Sequence, residues 1–305
     1  MVLLSLVAAL VIEQLRPLRR GNPVNAAYGR FTDRLAGQLN TGEPRDGAIA
    51  WAIAVVPAAL AAGGIYLLLD NINAILAWVW NVAVLYVVLG FRQFSHYGTG
   101  IMRALKDGDA DRARALLGEW TGQPADEFTV REVARVSIEQ GLLAAHRHVF
   151  GVLVWFVVFG VAGAVFYRAA GRVADAWGQR RDEEFGPFGD FAARAFRWIE
   201  WVPARLTALS FAIVGDFEDA VYCWRTQAGQ WPDRTQGIIL ASAAGALGVK
   251  LGDPVHRHGT LEFRPELGVM EEADADYLES AVGLAWRAIV MWMLLIALAT
   301  VASWF

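Results

Sequence analysis

The chain has 305 residues, 56% of them hydrophobic and 19% charged. Counted with Gly in place of Tyr, the apolar share is about 64%, against roughly 45–50% in soluble domains, which excludes a disordered chain, a collagen-like repeat and an ordinary water-soluble globule. A lone cysteine, Cys223, excludes a disulfide framework, and a net charge of −4 argues against a nucleic-acid partner, which needs a concentrated basic surface.

The bilayer is the expected partner, because a helix crossing about 30 Å of hydrocarbon needs roughly 20 apolar residues. Residues 1–12 are apolar, but their arginines (Arg16, Arg19, Arg20) follow the run instead of preceding it. This is a retained, short or tilted membrane segment and not a signal peptide. Charge-free runs at 48–69 and 72–91 are separated by Asp70-Asn71 alone and predict a helical hairpin with its tip there. Asp107-Gly108-Asp109 predicts a turn before a helix over 110–120 whose apolar stripe, Ala113, Leu116, Leu117 and Trp120, lies on the membrane surface or, the favoured reading, packs against the bundle. Residues 122–148 continue helical, with Arg131, Glu132 and Arg135 as a solvated face. A third run covers 149–167. A charged loop follows over 179–190, where Gly186-Pro187 breaks any helix. Stretches 202–215 and 237–249 are too short to span and suit re-entrant or bundle-lining helices. Residues 253–276 read as a polar loop, its acids Glu271, Glu272, Asp274 and Asp276 suiting a helix start in preference to a metal site. A fourth run, 288–305, ends the sequence.

The fold class expected is all-α: a polytopic helical membrane protein with amphipathic and re-entrant or short helices. It forms a single integral membrane domain over 1–305. Residues 92–148 and 168–201 are mainly cytoplasmic or interfacial helical insertions. The distribution of Lys and Arg sets the orientation. Residues 16–47 carry six, 70–71 none and 92–148 eight, so the hairpin tip faces outward from a bacterial-type inner membrane. If 149–167 crosses once, Arg168, Arg172, Arg180 and Arg181 emerge on the wrong side. Either 202–215 helps return the chain, or 149–167 does not cross simply.

No phosphate-binding loop, dinucleotide fingerprint, nucleophile elbow or zincin motif is present. Gly245-Ala246-Leu247-Gly248 suits helix packing. His146-Arg147-His148 precedes a membrane run, with Glu139 two turns upstream. It reads as an interfacial anchor or as a phosphate or carboxylate site, since Arg147 offers a bidentate fork. His256 and His258 form a similar group in a loop. Arg205 beside an apolar stretch needs a partner, Glu200 or Glu218. Asp216, Glu218 and Asp219 form an acidic group able to hold Mg²⁺ or to cap a helix.

Trp201-Val202-Pro203-Ala204-Arg205-Leu206 and Ser242-Ala243-Ala244-Gly245-Ala246-Leu247-Gly248-Val249-Lys250-Leu251-Gly252 resemble the CobD/CbiB family of membrane proteins. Gly21-Asn22-Pro23-Val24 is similar to that family's His-Pro-Val segment, with Asn22 in place of His, and Arg92 sits where the family carries an Arg after its hairpin. The resemblance implies adenosylcobinamide-phosphate synthesis: adenosylcobyric acid joined to an amino-alcohol phosphate, with ATP and Mg²⁺. The family's Glu-Asn-x-x-Asp-Gly motif is replaced by Glu139-Gln140-Gly141-Leu142-Leu143-Ala144. Its Asn-Thr-Leu-Asp gives way to Gly171-Arg172-Val173-Ala174, and its Asp-Asp pair to Phe196-Arg197. A second resemblance, to AmpE-like regulatory membrane proteins, rests on Val11-Ile12-Glu13-Gln14-Leu15, Glu139-Gln140-Gly141-Leu142-Leu143 and Gly215-Asp216-Phe217-Glu218, and implies a non-catalytic sensor.

On the ligase reading, Arg92, Arg147, His146 and Arg205 bind a phosphorylated or anionic small molecule. Glu139, Asp216 and Glu218 serve catalysis, and Asp216 and Glu218 hold the metal.

Overall fold

A computed structural model describes residues 2–16, 23–178, 180, 185–257, 259–269 and 271–302, and of 91–95 the backbone alone. In chain order the helices are α1 (Val2–Leu15), α2 (Pro23–Leu39), α3 (Pro44–Ile72), α4 (Ala74–Val88), α5 (Phe91–Lys106), α6 (Ala110–Thr121) and α7 (Val130–Ala145). A π-helical turn, His146–Phe150, leads into α8 (Gly151–Trp177), α9 (Gly186–Val214), α10 (Phe217–Thr226) and α11 (Arg234–Leu247). Short strands β1 (Val249–Gly252), β2 (Val255–Arg257), β3 (Thr260–Glu262), β4 (Glu266–Leu267) and β5 (Glu271–Glu272) precede α12 (Ala275–Ala302). The helical fold class is as expected. The chain forms two compact units: residues 1–90 with 151–201, and residues 91–150 with 202–305.

In the first unit, α3 is 29 residues long, about 43 Å, enough to cross hydrocarbon. The hairpin with α4 forms, but its break lies at Asn73, not at Asp70-Asn71, which remain helical. Asn73 closes one helix and opens the next: its N–H donates to the Leu69 carbonyl, and its side chain accepts from Ile75 N at 2.7 Å. The expected 20-residue second arm shrinks to 15 residues, about 22 Å, short of the hydrocarbon thickness. Trp80 Nε1 donates to the Ala62 carbonyl across the hairpin. Helix α1 packs on α4, burying Leu6, Ala9, Leu10 and Glu13, and Tyr86 Oη donates to the Arg16 carbonyl at 2.6 Å.

The 149–167 run is not one rod. Phe159 (φ −124°, ψ 15°) and Gly160 (φ 61°, ψ −151°) leave helical geometry, and the second lies in a region open essentially to glycine alone. The two arms of α8 fold back on each other. A Cβ on Gly163 would stand 2.1 Å from the Trp155 carbonyl oxygen, and one on Gly151 would stand 2.2 Å from the Tyr167 ring. Trp155 stacks on Phe159 and donates to the Ile199 carbonyl at 3.3 Å. That carbonyl would otherwise accept from residue 203, but Pro203 has no N–H. Ala162 meets Gly63 about nine residues, or 13 Å, before the end of α3. The run therefore reverses direction at Gly160, with Val157, Val158 and Phe159 exposed at the bend. Arg168 and Arg172 return toward the end where the run began. Gly186-Pro187 also departs from expectation: it starts α9 instead of breaking it, because proline is tolerated in a first turn.

In the second unit, α6 forms as predicted, capped by Asp109, which accepts from Arg112 N, and ended by Gly122 in the left-handed region. Its stripe packs inward, with Trp120 stacked on Tyr97. Helix α11 is buried along residues 237–246 and lines the bundle. Its glycines permit close approach: a Cβ on Gly245 would stand 2.3 Å from the Asp219 carbonyl of α10. The 253–276 region is not a loop. β1 pairs antiparallel with β4 (Leu251 opposite Leu267) and parallel with β5, while β2 and β3 form a separate hairpin.

Gly160→Ala should lower the thermal stability of the detergent-solubilised protein by about 1–3 kcal/mol. Gly64→Ala, on an open helix face, should stabilise by up to about 1 kcal/mol. Equal unfolding midpoints for both variants and wild type would show that α8 does not bend at Gly160.

Candidate functional site

Helix α7 opens with a capping box. Thr129 accepts from Glu132 N, and Glu132 accepts from Thr129 N at 2.6 Å. Glu132, Arg135 and Glu139 follow at a spacing of i, i+3 and i+7, which places them on one face. This face is buried, not solvated: Glu132, Arg135 and Glu139 are 5%, 4% and 2% exposed. Arg131 alone of the predicted group lies outside.

Each buried charge meets the strand region. Glu132 accepts from His256 N and Nδ1 at 3.0 and 2.9 Å. Arg135 donates to Asp253 Oδ2 at 3.1 Å and to the Pro254 carbonyl at 2.7 Å. Glu139 receives Arg264 through two bonds, 2.7 and 3.1 Å, and Gly252 N at 2.9 Å. Arg264 also donates to the carbonyls of Gly252 and Asp253 and lies over the Trp231 ring at 5.6 Å. Both backbone polar groups of Gly252 are therefore held by one ion pair.

The turn so held is strained. Gly252 has φ 72°, and a Cβ there would stand 1.9 Å from the Pro265 carbonyl oxygen. Asp253 has φ 66°, the one non-glycine residue with positive φ among those described. Glu139, expected in catalysis, is bonded to Arg264 and to the backbone of the Gly252-Asp253-Pro254 turn. Sequence reasoning missed Arg264 and Asp253. The detectable signal was the helical spacing of the charges on α7 and the opposite charges of 253–264.

The other expected site residues fall elsewhere in this unit. His146 opens the π-helical turn, a feature frequent at functional sites. It is buried, with Nδ1 2.9 Å from Thr207 Oγ1, and Thr207 in turn donates to the Pro203 carbonyl. Arg147 follows within the π turn, half-buried. Arg205 lies about 200° round α9 from Thr207, so it does not share the face that meets His146. Burial, more than the positive charge of Arg234 at the start of α11, disfavours the charged form of Arg205. Asp216 caps α10, its Oδ1 accepting from Asp219 N at 3.1 Å, and Glu218 is exposed in the first turn. Asp274 likewise caps the start of α12, accepting from Asp276 N and Tyr277 N. Among the described residues, no three His, Cys, Asp or Glu side chains come together as a metal site. The side chain of Arg92, together with Gly21, Asn22, Arg19, Arg20 and His258, lies outside the described residues.

Residues 3–285 match the model of a family described as CobD/Cbib protein. The chain belongs to the CobD/CbiB family. It is 35% identical over 301 residues to the "Cobalamin biosynthesis protein CobD" of Stutzerimonas stutzeri, covering 97% of each chain. It is also 35% identical to the protein of that name from Chromobacterium violaceum over 81% of this chain and 77% of the relative. To the one from Mycobacterium tuberculosis it is 30% identical over 82% and 80%. No solved structure matches. These matches favour the first resemblance over the AmpE-like one. Among the described residues, three helical segments are apolar and long enough to cross, Pro44–Ile72, Val130–Trp177 (folded at Gly160) and Ala275–Ala302, and the family member is a membrane protein.

Both Asp253→Gly and Asp253→Ala remove the carboxylate facing Arg135, but alanine resists the left-handed backbone. The alanine variant should be the less stable by about 1–2 kcal/mol in thermal unfolding. An alanine variant as stable as the glycine variant would show that the turn is not strained. Burial pushes the Cys223 thiol up to about 11. A maleimide at pH 8 should therefore leave it unmodified until the protein is unfolded; rapid labelling of folded protein would place Cys223 at the surface.

Proposed function

We propose that the chain makes adenosylcobinamide phosphate in cobalamin biosynthesis, forming an amide between adenosylcobyric acid and an amino-alcohol phosphate in a bacterial inner membrane. The observation that carries this reading is the family match across nearly the whole chain, with relatives named for cobalamin biosynthesis. The segments that bear the resemblance also lie at structural junctions. Pro203-Ala204-Arg205 meets the π turn through Thr207 and His146. Ser242 Oγ donates to the Ala208 carbonyl, joining α11 to α9, and Gly252 ends β1.

Amide formation from a carboxylate needs an activated acyl group, and ATP is the proposed source of that activation. Charge developing on the transferring phosphate oxygens calls for fixed cations. Arg205, within the family-like Pro203-Ala204-Arg205 segment, is proposed to supply one of them. Arg147 and Arg92 are proposed to assist with substrate phosphate. The amine must lose a proton to attack, and Glu218, exposed at the head of α10, is proposed to accept it. Asp216 already caps the helix, and the described residues form no cage for Mg²⁺, so no step is assigned to the ion. Mg²⁺ typically binds through one or two carboxylates and substrate phosphates, and it enters here only with the nucleotide.

Expression of the chain should restore cobalamin synthesis to a strain lacking its cobinamide-phosphate synthase. In purified protein, Glu218→Gln should lower kcat about a hundredfold or more, with binding of the amino-alcohol phosphate retained. Arg205→Ala should weaken that binding. Failure to complement, with no amide formed by well-folded protein, would contradict the reading. Asn71→Cys in cells should react with a membrane-impermeant reagent added outside. Protection of Asn71→Cys with labelling of Asp109→Cys would reverse the proposed orientation.

A further inference from the structure

The first unit holds a cavity of about 470 Å³ walled by α2, α3, α4 and the returning arm of α8. Three of these helices turn the same kind of stripe toward it: Ala58, Ala61 and Ala62 on α3, Trp80 and Val84 on α4, and Val165, Arg168, Ala169 and Arg172 on α8. The spacing is that of one helix face, and the alanines leave the space that larger side chains would fill. The lining is almost wholly apolar apart from Asn25, Tyr28 and the two arginines, one turn apart. No acidic residue lies among the described lining residues, and Tyr28 Oη is engaged with the Ala54 carbonyl.

An apolar chamber with two cations at one side fits an amphiphile with an anionic head. It does not fit the corrinoid substrate, whose periphery is rich in amides. Because α8 folds back at Gly160, the arginines lie toward the end where the run began, in keeping with the Arg-rich side of the sequence. Basic pockets between helices on that side bind anionic lipid headgroups. We propose that this cavity binds one anionic glycerophospholipid, with an acyl chain along the alanine stripe of α3 and its phosphate at Arg168 and Arg172.

The test is native mass spectrometry of the full chain in detergent, titrated separately with phosphatidylglycerol, phosphatidylcholine and inorganic phosphate. One phosphatidylglycerol should remain bound, and phosphatidylcholine should be retained about thirtyfold more weakly, the effect of two basic residues. Inorganic phosphate should neither bind nor compete. The double variant Arg168→Gln/Arg172→Gln should bring phosphatidylglycerol to the level of phosphatidylcholine. Should that variant fail to fold, Ala61→Phe fills the chamber from an open position and should abolish retention of both lipids with an unchanged unfolding midpoint. Equal retention of the two lipids would overturn the proposal. So would undiminished lipid binding in Ala61→Phe, or competition by inorganic phosphate, which would indicate a small-anion site instead. Cobinamide-phosphate synthesis is read out separately, so failure here leaves the enzyme reading untouched.

Discussion

A charge removed from water must be met by another charge or by several hydrogen bonds, and α7 buries three of them on one face. Glu132, Arg135 and Glu139 are met there by His256, Asp253 and Arg264 respectively. The strand region of the second unit follows from that requirement. β1 and β4 hold Gly252 and Glu266 opposite one another, and the left-handed Gly252-Asp253 turn aims Asp253 at Arg135. The bidentate Arg264 then closes on both Glu139 and the Gly252 backbone. Buried ion pairs of this kind contribute less to stability than hydrophobic packing would, and their value lies in fixing one arrangement. Here the arrangement fixed is the end of the glycine-rich segment that carries the family resemblance.

The first unit answers to a different constraint, the match between helix length and hydrocarbon thickness. Helix α3 satisfies it alone. Helices α1 and α4 do not, and they pack on each other through small and apolar residues. The bend at Gly160 divides an apolar run into two arms that fold back on each other, and the indole of Trp155 satisfies the carbonyl that Pro203 leaves without its helical donor. In both units a glycine in the left-handed region or at a backbone contact marks the decisive geometry: Gly160 and Gly163 in one, Gly245, Gly248 and Gly252 in the other.

Much of this was legible in the residues. The α3–α4 hairpin, the capped α6 and the buried α11 follow from apolar run length, cap chemistry and small-residue content, all of which are local. The family was readable from the Pro203-Ala204-Arg205 and Ser242–Gly252 segments. What was not legible depends on partners distant in sequence. Charged residues at helical spacing read as a solvated face unless their counter-charges are seen, and those of α7 lie more than 110 residues away. An apolar run reports how much chain prefers hydrocarbon but not its direction, so Gly160 gave no sign that the chain reverses there. For the same reason the pairing of Glu139 with Arg264 could not be read from the residues around Glu139.

The central claim, that the Glu139–Arg264 pair holds the Gly252 turn in place, is tested most directly by a double-mutant cycle. Unfolding free energies would be compared for wild type, Glu139→Gln, Arg264→Met and the combined variant. Each single change leaves a buried partner unmatched and should cost about 3–5 kcal/mol, while the double variant should be little worse than either single one. Additive losses in the double variant would show that the two side chains act independently, and the account of the turn would fail.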